Sequence, residues 1–193
     1  MNVLDQKLAL KKLNIGLPII FQTDTLPAIG CLPKFSEIIY KIKKRDINKP
    51  LILMGAEKLQ LNEFVHKSAL DDYKYMASRY WPGPLTIVIP ISDKSKPFFS
   101  SNNLTLGLRI PNSMTAKFFI KKSGPLLTSS ANISGLPPAT NAEDISMDFP
   151  NVDILGPVPW GKCSGKASTI ISWVSDRKWE IIREGQVLIP EIG

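Results

Sequence analysis

From Leu104 to Ile110 the chain alternates without interruption, with Leu104, Leu106, Leu108 and Ile110 set against Thr105, Gly107 and Arg109. A period of two marks a β-strand with one face in a core, because successive side chains leave a strand on opposite sides. The pattern also fixes where one charge must go. Arg109 falls on the face opposite the leucines, inside a strand that is otherwise apolar. Core strands do not hold unpaired arginines, so Arg109 is expected to meet a carboxylate, the protein's or a ligand's. Its place on the polar face favours the ligand's, with little dependence of the fold on it.

The remaining segments alternate between strand and helix. Leu4 to Asn14 reads as a helix closed by Gly16, and Leu17 to Phe21 as a short buried strand. Ser36 is expected to cap a helix whose apolar positions are Ile38, Ile39 and Ile42. Leu51 to Met54 reads as a strand and Ser68 to Arg79 as a helix, which stops before the rigid Trp81-Pro82-Gly83-Pro84. Leu85 to Ile91 is a central strand, Ser113 to Lys122 a helix, and Pro125 to Ser129 a strand. Thr140 and Glu143 have capping-box spacing and predict a helix start. Strands return at Val152 to Leu155, Ser168 to Trp173 and Trp179 to Arg183. The expected fold is α/β: one domain over residues 1–193, with a twisted mixed parallel and antiparallel sheet and flanking helices.

Composition narrows the function classes. The 193 residues suit a single sizeable core, and 44% hydrophobic with 21% charged residues is ordinary for a soluble globular protein. A formal charge of +7 points to acidic partners, whether nucleotides, polyphosphate or RNA. No run reaches the roughly 18 apolar residues of a spanning helix, and Met1 to Lys7 lacks the apolar core of a signal peptide. A cytoplasmic location without membrane contact is therefore expected. Cys31 and Cys163 form no CxxC, so neither a disulfide scaffold nor a cysteine metal site is expected. The single histidine, His66, has no neighbour to orient it as a base and is expected at a loop or helix end.

Several polar segments can carry chemistry. Thr128-Ser129-Ser130-Ala131-Asn132-Ile133-Ser134-Gly135 follows the apolar run Pro125-Leu126-Leu127, so a buried strand empties into a loop of hydroxyls and one carboxamide. Such a loop suits a polyanion or nucleotide. Lys41, Lys43, Lys44 and Arg45 cluster at a helix end, followed by Lys49-Pro50 at the mouth of a strand, where α/β folds place ligands. Thr23-Asp24-Thr25 after a strand can hold a small polar substrate or an amine. Gly156 to Cys163 approaches the phosphate-loop pattern G-x-x-x-x-G-K-[ST], but Cys163 replaces the hydroxyl, Pro157 and Pro159 remove backbone donors, and no helical pattern follows. The segment is expected to be a long loop.

Taken in order, these segments resemble the threonylcarbamoyl-AMP synthase family, the YrdC-like proteins, over nearly the whole chain. Phe21 to Thr25 followed by Gly30-Cys31 is similar to its Y-P-T-D-T-x-x-G-x-G-C segment, and Ile39 to Arg45 with Lys49-Pro50-Leu51 to I-Y-x-x-K-x-R…K-P-L. Trp81 to Thr86 resembles W-P-G-P-L-T, Leu108 to Pro111 V-R-x-P, and Thr128 to Gly135 T-S-A-N-x-S-G. Ser168 to Ile171 resembles S-T-I-V and Ile182 to Gly185 I-x-R-x-G. The resemblance implies synthesis of L-threonylcarbamoyladenylate and pyrophosphate from L-threonine, bicarbonate and ATP, with Mg²⁺ accompanying the ATP. It implies ATP contacts at Lys43, Arg45, Ser130, Asn132, Ser168 and Arg183, and threonine contacts at Thr23, Thr25 and Arg109. Lys43, Arg45 and Arg109 are the implied catalytic residues, with no metal held by the protein. The implied destination is N6-threonylcarbamoyladenosine at position 37 of tRNA, through a downstream threonylcarbamoyl-transferase complex.

The chain departs from the family pattern in places. Gln22 replaces a proline, Lys44 sits where glycine is common and Glu184 replaces a proline. Leu26-Pro27-Ala28 replaces a segment that usually carries an aromatic, so weaker selection of threonine over serine is expected. The alternative reading is an RNA-binding or ribosome-associated YrdC-like module without synthase activity, holding tRNA or double-stranded RNA on a basic concave face.

Overall fold

Short apolar strands, none long enough to stand alone, reach stability by pairing into one sheet. The structure, a computed structural model, describes residues 2–93, 95 and 104–192. Met1 and Gly193, the two ends of the expected domain, lie outside the described residues. The strands are β1 (Val3–Leu4), β2 (Ile19–Phe21), β3 (Ala28–Cys31), β4 (Ile52–Met54), β5 (Leu85–Pro90), β6 (Thr105–Arg109), β7 (Leu126–Ser130), β8 (Asp153–Leu155), β9 (Thr169–Ser175) and β10 (Lys178–Arg183). The helices are α1 (Gln6–Asn14), α2 (Glu37–Lys43), α3 (Lys58–Asn62), α4 (Leu70–Tyr80), α5 (Met114–Ser123) and α6 (Ala142–Asp148). The strands order as β1-β8-β2-β3-β7-β4-β6-β5-β9-β10. The sheet is mixed: β4 pairs parallel with β6 and β5 with β9, whereas β7 runs antiparallel to both β3 and β4. This is the expected fold class.

Strand alternation sends neighbouring residues to opposite faces. On one face Ile20, Ile29, Leu53, Ile87, Leu108 and Ile171 join the main core with Ile39 of α2, Tyr73 and Met76 of α4 and Ile145 of α6. On the other, Ile19, Phe21, Ala28 and Leu126 pack under Ala9 and Leu13 of α1 and Phe119 and Ile120 of α5. The Phe21 and Phe119 rings meet edge to face at 5.8 Å. That second helical layer covers the β1–β3 side. Farther along the same face, one row of paired residues crosses the sheet: Thr128, Ile52, Gly107, Val88 and Ser172. These residues line a cavity instead of a helix contact.

Local chemistry moves several boundaries. The expected helix at Leu4 begins at Gln6, because the Asp5 side chain accepts the Leu8 N–H at 2.8 Å and frees Leu4 to pair with Leu155. Ser36 caps nothing: its backbone is already helical and its N–H bonds Pro33 O, since a 3₁₀ turn at Pro33–Phe35 leads into α2. The cap of α6 is Asn141, which accepts the Asp144 N–H at 2.8 Å, so the Thr140 signal is one residue early. β3 and α3 had no clear signal. Three residues of β3 are Ala, Gly and Cys, which have little strand preference, and α3 is only five residues long. His66 sits at a helix end as expected, its Nδ1 accepting the Ser68 N–H at 3.2 Å.

Helix α2 ends on Lys44, which adopts the left-handed conformation with φ 49° and ψ 42°. The next residue, Arg45, donates its N–H to Tyr40 O at 2.9 Å, so the chain turns sharply and carries Arg45 away from the helix axis. A side chain in this conformation costs about 1 kcal/mol. Lys44→Gly should therefore stabilise the protein by about 1 kcal/mol in urea denaturation. A loss of stability would show that the Lys44 side chain makes a contact worth more than the strain.

Candidate active site

The cavity measures about 570 Å³, within the range of small-ligand sites. Its floor is the second strand face. Thr86, Thr128, Ser168 and Ser172 bring hydroxyls to it, and Gly107 leaves space between them. A Cβ at Gly107 would stand 3.3 Å from Thr86 Cγ2, so any side chain there would enter the floor. The hydroxyls are held in place: Thr86 Oγ1 and Ser168 Oγ lie 2.9 Å apart, and Thr128 Oγ1 donates to Ile52 O at 2.9 Å. The lining carries four cations, Arg45, Lys49, Arg109 and Arg183, and no carboxylate among the described residues.

One end of the cavity is cationic. Arg45 donates Nε to Lys49 O and Nη2 to Pro50 O, both at 3.1 Å, so the loop before β4 fixes its guanidinium. Arg183 donates Nε and Nη2 to Ser168 O, at 3.2 and 2.8 Å. Gly185 permits this approach: a Cβ there would lie 2.4 Å from the carbonyl carbon of Ser168. Burial and then Arg45 lower the Arg183 pKa. Two fixed, mutually repelling cations above a floor of hydroxyls suit a polyanion.

The other end holds Arg109, 3% exposed. Its Nη2 pairs with Asp24 Oδ1 at 2.8 Å, its Nη1 donates to Thr25 Oγ1 at 2.8 Å and its Nε to Gly83 O at 3.1 Å. Of the two partner types expected for Arg109, the structure supplies the protein's carboxylate, so this arginine belongs to the fold as well as to the cavity wall. Asp24, read from sequence as facing a substrate or amine, turns toward Arg109. Thr23 lies behind the wall and donates Oγ1 to Leu26 O at 2.7 Å. The 156–165 segment straps over this turn and is no phosphate loop. Ser164 and Gly165 donate their N–H groups to Asp24 O and Thr25 O at 3.1 Å each, and Gln22 Nε2 bonds Gly161 O.

The hydroxyl-rich loop leaves β7 at Ser130. Ser130 and Ser129 line the cavity; Asn132 does not. Asn132 braces the loop instead, accepting from Ser130 Oγ at 2.6 Å and donating Nδ2 to Leu136 O at 2.7 Å. Lys43 is likewise inside, 1% exposed, with Nζ on Ser130 O and its own carbonyl accepting the Ser134 N–H at 3.2 Å. Thus Arg45, Ser130, Ser168, Arg183, Thr25 and Arg109 converge on the cavity, while Lys43, Asn132 and Thr23 form its backing. Thr128 and Lys49 were read from sequence only as members of the hydroxyl-rich loop and the basic turn, and both line the cavity. Thr86 was given no site role; its alternation with the core residues Leu85 and Ile87 was the available signal.

Two expectations follow for stability. Arg109→Met leaves the Asp24 carboxylate without its counter-charge and should destabilise by about 3 kcal/mol, read by chemical denaturation; an unchanged midpoint would mean that the pair contributes nothing. Lys43 is lowered to about 8, by burial and then by Arg45. Below that pH the folded protein carries the full penalty of a buried ammonium. Between about 8 and the ordinary value of 10.5 the unfolded chain holds a proton that the folded one has released, so stability rises with pH. Wild type should gain stability relative to Lys43→Met between pH 7.5 and 10, by no more than about 1.4 kcal/mol per pH unit. A flat difference would contradict the burial of the charge.

Comparison with known proteins places this arrangement. The family described as Telomere recombination (Sua5, YciO and YrdC) matches residues 11–185. A threonylcarbamoyl-AMP synthase of Vibrio campbellii is 30% identical over 182 residues, covering 91% of this chain and 96% of that protein. One of Bacillus subtilis is 32% identical over 164 residues, covering 82% of this chain but 47% of its own length, so this chain spans about half of that relative. P. abyssi Sua5 complexed with L-threonine superposes with a TM-score of 0.84 at 26% identity, over 96% of this chain and 58% of that one. E. coli YciO shares the fold with a TM-score of 0.79 at 22% identity, over 99% and 95% of the two chains. A match along most of the sequence, together with the same fold around the cavity, assigns the chain to the Sua5–YciO–YrdC family.

Proposed function

We propose that this chain is a threonylcarbamoyl-AMP synthase, a nucleotidyltransferase that makes L-threonylcarbamoyladenylate and pyrophosphate from L-threonine, bicarbonate and ATP. The observation that carries the reading is the cavity itself, with Arg45, Lys49 and Arg183 at one side, Arg109 and Thr25 at the other, and a floor of hydroxyls between. Relatives at 30% identity or above bear the synthase name, and P. abyssi Sua5 takes L-threonine. The threonine amine adds to the carbon of bicarbonate, and water leaves to give a carbamate. A carbamate oxygen then attacks the α-phosphorus, the bond to the bridging oxygen breaks, and pyrophosphate leaves with that electron pair. Arg45 and Arg183 neutralise the leaving group, with Ser130 and Ser168 donating to phosphate oxygens. Lys43 and Asn132 hold the loop that presents Ser130. Thr25 and Arg109 receive the amino acid and its carboxylate, with Thr23 behind them. No side-chain base is required, because the carbamate is itself the nucleophile.

The cavity lining has no carboxylate among the described residues, and no cluster of three metal-ligating side chains occurs among them. These residues do not fit a resident metal; Mg²⁺ arrives as the counter-ion of ATP. The product passes to a threonylcarbamoyl-transferase complex that modifies adenosine 37 of tRNA, in the cytoplasm. No described helix is long and apolar enough to cross a membrane. The exposed Lys49 at the cationic rim and the exposed Lys44 at the end of α2 keep one second reading, an RNA-binding module for tRNA or double-stranded RNA without synthase activity.

Pyrophosphate release from MgATP should require both L-threonine and bicarbonate. Arg45→Ala should weaken MgATP binding by about 1.5–3 kcal/mol, the scale of a charge-assisted hydrogen bond, with threonine affinity held within about twofold. Tight RNA binding with no pyrophosphate release under any substrate combination would replace the synthase reading with the RNA-binding one.

A further inference from the structure

We propose that Asp24 is a positioning residue for amino-acid recognition, acting through Arg109; the inference rests on the synthase reading above. Arg109 lines the cavity and Asp24 does not. A guanidinium has five N–H donors. In Arg109 one goes to Gly83 O at 3.1 Å, one to Thr25 Oγ1 at 2.8 Å and one to Asp24 Oδ1 at 2.8 Å. Two donors are left for a carboxylate entering the cavity, and the three engaged ones stop the planar group from rotating. Asp24 is the only charged member of that frame.

Asp24 is itself fixed from two sides. Its Oδ1 also accepts the Asn112 N–H at 3.0 Å, and its backbone carbonyl accepts the Ser164 N–H at 3.1 Å. The residue thus joins the turn after β2, the end of β6 and the 156–165 strap at one point. Its Oδ2 is buried and has no hydrogen-bond partner among the described residues. A carboxylate kept only for the fold would be expected to satisfy both oxygens or to give way to an apolar pair, which packs as stably. A carboxylate kept to aim an arginine needs only the oxygen that touches it. The Thr25 hydroxyl, the other side of the frame, is set by Thr23 Oγ1 at 3.1 Å. The substrate's carboxylate therefore meets a guanidinium whose orientation is determined before binding.

The test is calorimetric titration of wild type, Asp24→Asn and Asp24→Glu with L-threonine and, separately, with MgATP. Asp24→Asn keeps the shape and removes the charge; Asp24→Glu keeps the charge and moves it by one methylene. Threonine Kd should rise about 10- to 100-fold in Asp24→Asn, the scale of an outer-shell partner, and by a smaller factor in Asp24→Glu, while MgATP Kd stays within about twofold in both. Stoichiometry reports the folded fraction and Kd reads only folded molecules. A fall in stoichiometry with unchanged threonine Kd would therefore assign Asp24 to the fold and overturn the proposal. Failure of wild type to bind threonine would overturn the synthase reading and the proposal with it, whereas normal wild-type binding with unchanged Kd in both variants overturns the proposal alone.

Discussion

The site exists because the sheet is wider than its second helical layer. Helices α1 and α5 cover the face made by β2, β3 and the start of β7. The same face from Thr128 across Ile52, Gly107 and Val88 to Ser172 lines the cavity. An uncovered strand face cannot be made of large apolar side chains without inviting association. Here Thr86, Thr128, Ser168, Ser172 and Gly107 interrupt the apolar Ile52 and Val88, with cations at the margins. The alternation that builds the core builds the cavity at the same time: Leu106 and Leu108 enter the main core, and Thr105, Gly107 and Arg109 face the other way.

Charge sets the second constraint. The lining carries cations without matching carboxylates, so the fold holds them together against their mutual repulsion. Backbone carbonyls compensate. Lys49 and Pro50 carbonyls hold Arg45, the Ser168 carbonyl holds Arg183, and the Ser130 carbonyl holds Lys43. Among the described residues, Arg109 is the lining cation paired with a carboxylate, and that carboxylate lies outside the lining. A polyanion entering the cavity meets donors that are already oriented and little competing negative charge.

Much of this was legible in the sequence because it is local. The alternation over 105–110, the WPGP turn, the basic end of α2 and the hydroxyl run at the end of β7 each depend on neighbouring residues, and the structure has each where the sequence puts it; Leu104, expected in the core, is exposed just before β6. What escaped depends on distant partners. β3 is a strand because Gly30 and Ile29 pair with Ile19 and Ile20 on one side and with Thr128 and Ser129 on the other, contacts that no feature of Ala28-Ile29-Gly30-Cys31 announces. Lys43 reads as one of a basic helix-end cluster facing a ligand, and only the closure of β7 over it turns its ammonium onto the Ser130 carbonyl. Asp24 and Arg109 are 85 residues apart in sequence, and nothing local distinguishes a protein carboxylate from a substrate's as the partner of a strand arginine. Two helix starts moved for smaller reasons: Leu4 leaves the expected first helix to pair with Leu155, so that helix starts two residues later at Gln6, and at α6 the neighbouring Thr140 and Asn141 competed for one cap, which geometry gave to Asn141.

The central claim is that this cavity joins threonine, bicarbonate and ATP in one product. Carbon-labelled bicarbonate, incubated with the protein, L-threonine and MgATP, tests it directly. The account predicts label in an adenylate that also contains threonine, formed in equal amount to pyrophosphate. Pyrophosphate released without label in any adenylate, or label incorporated without threonine, would contradict it.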